Sequence, residues 1–315
     1  MRLYLFAALC GILVALQSRI NGGLSALLGN GVEAALISFG SGFIILNLIL
    51  ATNKKVRNGL RGIVTGIRSK QLPRWRLSAG VLGGIFVAIQ SFSVPLIGVA
   101  LLSVTTIAGQ TAASLFVDRA GMTAGGKQPI TLRRTFAAVI TVIAVLVAVW
   151  DRLTVANTSL IAIALSFGGG LLLGLQRALN GQINEHSKNS LATTWLNFAT
   201  GCTFLSCLIL FTTFSGDTLG KLPTSPWWIY SGGAIGILYI AFASTIVQEI
   251  GVLAFTLFTT GGQLIGSLLI DLIFPTEGVV IGPNLIIGIV LSYAGVLIGG
   301  VKAQGSIRAK SIPKN

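Results

Sequence analysis

Residues 106–118 read TIAGQTAASLFVD, and residues 259–271 read TTGGQLIGSLLID. Six of the thirteen positions are identical at a constant offset of 153. The same offset carries Trp75 onto Trp228, Gly80 onto Gly233, Gly83 onto Gly236 and Gly98 onto Gly251. Toward the N-terminus the offset becomes 159: Gln17, Asn21 and Gly22 fall on Gln176, Asn180 and Gly181, and Phe39 and Gly42 fall on Phe198 and Gly201. A longer basic loop in the first half accounts for the change. The chain is a duplication, about 1–152 and 153–315.

What is duplicated is decided by composition. Charged residues make up 10% of the chain, hydrophobic residues 53%, and the mean hydropathy is +0.86. A soluble domain carries about 25% charged residues, so this is the composition of a membrane protein. The 40 glycines suit helices that approach one another closely in a bilayer. Apolar runs of the roughly 20 residues needed to span a bilayer occur at 3–24, 32–52, 77–95, 97–117, 135–150, 158–180, 190–213, 227–247, 250–273 and 281–301. Only the Pro95–Gly98 break separates the third run from the fourth, and only Gln248–Gly251 the eighth from the ninth. Strand-period alternation is absent, which argues against a β-barrel. The expected fold is an all-α polytopic membrane protein with ten transmembrane helices in two five-helix repeats. Five is odd, so the second copy enters from the opposite side and the repeats are inverted, an arrangement characteristic of secondary transporters.

The net charge of +14 would suggest nucleic acid in a soluble protein. Here the basic residues fall on one side. With the N-terminus inside, eighteen lie in inner segments, eight of them between Lys54 and Arg76, while Arg152 and Lys221 alone lie outside. This satisfies the positive-inside rule and predicts that both termini are cytoplasmic, with no nucleic-acid partner. Leu9 before Cys10 does not suit lipoprotein cleavage, and the internal copy implies that the first helix is retained. Cys10, Cys202 and Cys207 lie within apolar runs without metal-ligand spacing and read as buried, inert thiols.

Polar residues inside the apolar runs are the candidate functional groups. Thr106, Gln110, Ser114 and Asp118 recur every four residues and share one helix face. Thr259, Gln263, Ser267 and Asp271 repeat the stripe. Such stripes suit a polar cavity between the halves, or interhelical hydrogen bonds of about 1 kcal/mol each. The first helix adds Gln17 and Asn21 within ALQSRINGG (15–23), echoed by Gln176 and Asn180. Asn-Gly in both places predicts helix termination, leaving Gln17 and Gln176 as the deeper cavity candidates. Gln90 has Ala243 at its repeat position, and Tyr239 stands where the first copy has Phe86. Such differences could encode preference for an asymmetric solute. Glu249 and His186 read as solvated loop residues, and Trp75, Trp227, Trp228 and Tyr230 as interfacial anchors.

Ten helices in two inverted halves, the Gln-Ser-Arg-Ile-Asn-Gly segment and the Gly-Gln-x3-Ser-x3-Asp pattern resemble the drug/metabolite transporter superfamily. They are most similar to its YdcZ-type (EamA-like) branch of bacterial inner-membrane proteins, in the fused tandem form. That resemblance implies gradient-linked movement of small organic solutes, often export, with helices 3, 4, 8 and 9 lining a central cavity. The sequence has no phosphate-binding loop, metal-ligand cluster or nucleophile paired with a base, so neither enzyme, metal nor cofactor is expected. The expected partners are a small-molecule substrate and the lipid bilayer, with the chain a monomer and a dimer the alternative.

The leading reading is a secondary transporter. An uncoupled facilitator or channel, and a non-transporting scaffold or sensor subunit, are the alternatives. Arg19 and Arg177 are costly at mid-membrane, at least ~2.5 kcal/mol each if unpaired. A carboxylate at a helix C-terminus opposes the macrodipole. Arg19 with Asp271 outside, and Arg177 with Asp118 inside, are therefore candidate gating pairs, with two snorkelling arginines that share no role as the alternative. Glu33 competes for Arg19, and Arg119, Arg133 and Arg134 compete for Asp118.

Overall fold

A computed structural model describes residues 2–122, 131–150, 157–216, 218–250, 252–277 and 279–300. Among the described residues ten α-helices span Arg2–Leu28 (α1), Gly31–Thr52 (α2), Lys54–Arg68 (α3), Ala79–Ala120 (α4), Leu132–Ala148 (α5), Asn157–Ser187 (α6), Ser190–Phe214 (α7), Gly232–Ile250 (α8), Val252–Ile273 (α9) and Pro283–Gly300 (α10). Single 3₁₀ turns at Arg74–Ser78 and Trp227–Tyr230 lead into α4 and α8. No strand occurs among the described residues. The protein is an all-α, polytopic bundle.

Six of the helices among the described residues are long and apolar enough to cross a membrane. Ten helices among the described residues equal the ten crossings expected from the sequence for a compensating reason. As a straight rod the 42 residues of α4 would run ~63 Å, about twice the ~30 Å hydrocarbon core. The rod is broken at Gly98, whose φ of 77° and ψ of 170° are not helical. Contacts with α6 show how the two legs lie. A Cβ on Gly169 would stand 3.2 Å from Phe86 in the first leg, and one on Gly170 would collide with the Thr106 carbonyl in the second. Likewise Gly83 abuts Gln176, while a Cβ on Gly174 would stand 2.7 Å from Ala113. Residues at comparable distances on either side of Gly98, such as Gly83 and Ala113, thus meet neighbouring turns of α6, so α4 folds back on itself as two antiparallel legs. Positive φ is open to glycine at little steric cost, which explains why the break needs Gly98.

The helix the sequence reading missed is α3. Its charged face obscured an apolar one: Val56, Gly59, Ile63 and Gly66 are buried, three to four residues apart as an amphipathic helix requires. Asn53 starts it, accepting from Lys55 N at 2.9 Å. Gly59 and Gly62 lie against the α6–α7 junction, and Gly66 lies against His186. His186 is accordingly half-buried under α3, not a free surface residue. Arg57, Arg61, Arg68, Arg74 and Arg76 mark this end of the molecule, called here the basic end.

The termination read from Asn-Gly does not occur. α1 continues through Asn21-Gly22 to Leu28, and α6 through Asn180-Gly181 to Ser187. Gly22 serves packing instead: a Cβ there would collide with Val94. The cysteines are free, but only Cys10 is buried; Cys202 is half-buried and Cys207 exposed on an apolar outer face. Glu249 lies in the last turn of α8, and its side chain is outside the described residues.

The largest apolar core surrounds the second leg of α4, where Val99, Leu101, Val104 and Ile107 meet Val145, Ala162, Leu264 and Ile289. A second core joins α2 to α7 through Phe39 and Phe198, whose ring centroids are 4.9 Å apart. A Cβ on Gly42 would collide with Phe198, and one on Gly201 with Phe39. Those contacts exchange under the offset of 159, so the relation between the halves is a two-fold that passes between these rings.

Candidate functional site

The duplicated motifs reappear as duplicated contacts. A Cβ on Gly11 would collide with the Thr259 carbonyl, and one on Gly262 with the Ala8 carbonyl. In the other copy Gly170 stands against the Thr106 carbonyl and Gly109 against the Phe167 carbonyl. Every member of the first set maps onto the second by 153 or 159. Each copy therefore lends its first helix to the other's fourth crossing: α1 packs on α9, and α6 on the second leg of α4. Small residues permit such approach where no hydrophobic force distinguishes protein from lipid.

Two carboxamide clusters occupy opposite ends of the bundle. Toward the basic end, Gln176 donates to Asn197 Oδ1 at 3.1 Å, and Asn197 Nδ2 in turn donates to Asn180 Oδ1. Toward the other end, Gln17 Nε2 donates to the Gly232 carbonyl at 2.9 Å. There Asn197 is replaced by Ser38. Asn21 is fully buried, and neither its Nδ2 nor its Oδ1 finds a hydrogen-bond partner. Gly232, which replaces Ala79 of the first copy, leaves the space that the Asn21 carboxamide enters, since a Cβ there would collide with Oδ1.

Of the stripe residues, Thr106, Thr259, Gln263, Ser267 and Asp271 are buried. In α9, Thr259 donates to the Ala7 carbonyl at 3.1 Å, and Ser267 donates within its own helix to Leu264 at 2.9 Å. Gln263 is buried between them. In α4, Gln110 and Ser114 are half-buried, and Ser114 donates to Thr111 at 2.7 Å. Tyr239 packs against the small core formed by Ala7, Cys10, Ile246 and Phe255. Gln90 is buried with its Nε2 unpaired, as are the hydroxyls of Ser91, Ser103 and Thr106 on the two legs of α4. A buried polar atom without a partner forfeits about 1–3 kcal/mol, and four such atoms lie on this one hairpin. An open groove of about 550 Å³ between α2 and α7, lined by Phe43, Ile44, Cys202 and Thr203 among others, contains none of the candidate residues.

Among the gating candidates, Asp271 is the most enclosed, 2% exposed. It accepts hydrogen bonds from Val99 N at 3.0 Å and Ala100 N at 2.7 Å, at the start of the second leg of α4. Arg19 lies at the same end and donates to Thr276 Oγ1 at 2.8 Å, in the turn after α9. Arg177 is exposed, and the Asp118 side chain is outside the described residues. Glu33 accepts from Gly220 N at 3.0 Å and from Asn30 Nδ2 at 3.2 Å. Arg133 donates to the Ile298 carbonyl at 2.6 Å. Sequence reasoning missed Asn197, Ser38 and the amides of Val99 and Ala100. The first two were findable, since the offset of 159 pairs them as polar residues inside otherwise apolar helices.

A polytopic bundle built from two matching halves, each lending a helix to the other and enclosing uncharged amides, belongs to the transporter class with tandem repeats. The chain is a member of the DMT_YdcZ family, described as "Putative inner membrane exporter, YdcZ", whose model matches it twice, over residues 3–147 and 161–298. It is thus a multi-pass inner-membrane protein. No curated protein matches the chain.

Proposed function

We propose that the protein is a secondary transporter that moves a small organic solute out across the inner membrane by alternating access between its two repeats, acting as a monomer. The repeats divide near residues 152 and 153, and both termini and the basic end face the cytoplasm, as the distribution of Lys and Arg favours. The observation that carries this reading is the reciprocal packing of α1 on α9 and of α6 on α4. Two arrangements of such a pair have similar energies because the halves are similar, which is the requirement for a site that opens alternately to each face. The candidate lining is uncharged: Gln17, Gln90, Gln110, Ser114, Gln176, Tyr239, Gln263 and Ser267. It suits a solute that offers hydrogen-bonding groups to amides and hydroxyls, such as the unpaired Gln90 and Thr106.

The test is flux into liposomes containing the purified protein, read against a library of small solutes with and without an imposed proton gradient. Gradient-dependent flux supports the proposal. Flux indifferent to any gradient would make the protein a facilitator, and a folded protein moving no solute in the library would point to the scaffold or sensor reading.

A further inference from the structure

We propose that Asp271 is a proton-binding site, and that its protonation releases the end of the bundle opposite the basic end. The inference rests on the transport reading for its purpose, but its geometry stands alone. Asp271 sits two residues before the end of α9, where a negative charge opposes its own helix dipole. What offsets this is another helix's N-terminus. Both carboxylate oxygens are engaged, Oδ1 by Val99 N at 3.0 Å and Oδ2 by Ala100 N at 2.7 Å. These amides open the second leg of α4, where unsatisfied N–H groups and the positive end of the dipole favour an anion.

Gly98 is fitted to this contact twice over. Its backbone turns the chain with φ of 77°, and a Cβ would stand 2.7 Å from Asp271 Oδ2. The sequence writes the same pair in the other copy, Asp118 with Gly251, at the shared offset of 153. In the described copy Asp271 and Gly98, 173 positions apart, form one unit. That unit ties the end of α9 to the start of α4's second leg.

Protonation reverses the tie's chemistry. A proton from the adjoining aqueous phase adds to one carboxylate oxygen, giving a neutral carboxylic acid. The hydroxyl oxygen becomes a donor facing an amide donor, so the hydrogen bond from that amide is lost together with the charge attraction. The buried carboxyl then no longer holds the two helices, and they separate. Among the described residues, the charged groups at this end are Arg19 of α1, held on Thr276, and the exposed Glu277 in the turn after α9. The neighbouring α4 segment, Pro95 to Ala100, contributes none, nor does α10. Asp151 and Arg152 are outside the described residues. Glu33, in the first turn of α2, makes a separate contact with Gly220 N, and the exposed Lys221 follows Gly220 in the chain. Binding a proton more tightly in the open than in the tied state is the differential affinity by which a ligand shifts a conformational equilibrium.

The test is a spin-label distance between Phe92→Cys and Phe274→Cys, both on exposed sites. It is measured in the full chain in nanodiscs, with Cys10, Cys202 and Cys207 replaced. Between about pH 7 and about pH 4, a span that reaches down to where aspartate carboxyls in proteins titrate, a longer-distance population should appear. Asp271→Asn should show it at both pH values, and Asp271→Glu should retain the pH response. A distance indifferent to pH in the otherwise native chain overturns the proposal, as does a pH response that persists in Asp271→Asn. Should Asp271→Asn fail to fold, the response of the native carboxylate and of Asp271→Glu still decides. Since no flux is measured, a missing substrate cannot be mistaken for a missing proton site.

Discussion

Gln176 and Asn197 meet at 3.1 Å, amide nitrogen to amide oxygen, and this contact has no equivalent in the first repeat. Ser38 occupies the place of Asn197 and is too short to bridge Gln17 to Asn21. Asn197→Ser should therefore strip Gln176 and Asn180 of their partner and lower unfolding free energy by about 1–3 kcal/mol. Thermal unfolding in detergent measures this. An unchanged midpoint would mean that the cluster contributes nothing to stability.

The converse substitution tests the buried Asn21. Ser38→Asn copies the paired cluster into the first repeat and offers the Asn21 carboxamide a neighbour. The midpoint should rise if the new amide reaches it, because a buried group that gains a hydrogen bond recovers its desolvation penalty. Combined with Gly232→Ala, which copies Ala79, the gain should survive only if Asn21 swings toward the new amide and away from Gly232.

The glycine seams predict matched losses. Gly11→Val and Gly170→Val drive a side chain into the Thr259 and Thr106 carbonyls respectively, and backbone gives way poorly. Each should destabilise by about 1–3 kcal/mol, the usual range for overpacking. Similar losses at the two positions would follow from the symmetry of the contacts. A loss confined to one would show that the copies bear load unequally.

Local signals in the sequence were read well, and distant pairings poorly. The apolar runs, the duplication and the break near Gly98 are all written in consecutive residues. By contrast, α3 was hidden because the eight basic residues between Lys54 and Arg76 mask four buried positions. Asn21-Gly22 looked like a terminus because the reason for Gly22 is Val94, far along the chain. Asp271 invited a search for a cation, but its amide partners carry no side-chain signature at all. Backbone donors become visible only when a fold puts a helix start beside them.

The buried face of α3 should fasten the basic end. Ile63, 3% exposed, packs with Leu72, Leu179 and Ile183. Ile63→Ala should lower stability by about 2–5 kcal/mol, as for other large-to-small changes in a core. Hydrogen exchange across Lys54–Arg68 should accelerate more than elsewhere. Uniform acceleration would instead mean that α3 unfolds only with the whole protein.

Gln110 and Gln263 separate glue from solute contact. They match at the offset of 153 on the two seams, yet the hydrogen bond found on the α9 seam is made by Thr259, which donates to the Ala7 carbonyl. Thr259→Val removes that bond at nearly constant volume, so it should lower stability by about 1 kcal/mol and leave flux per folded molecule close to native. Gln110→Ala and Gln263→Ala should do the reverse, lowering flux far more than the melting point, because an amide kept for a solute contributes little to the empty protein. The paired measurement is flux in liposomes normalised to folded protein, set beside the thermal midpoint. If both glutamine variants melt early while transporting at the native rate, these amides hold helices together and the solute path lies elsewhere on the α4 hairpin, where Gln90 and Thr106 remain unpaired.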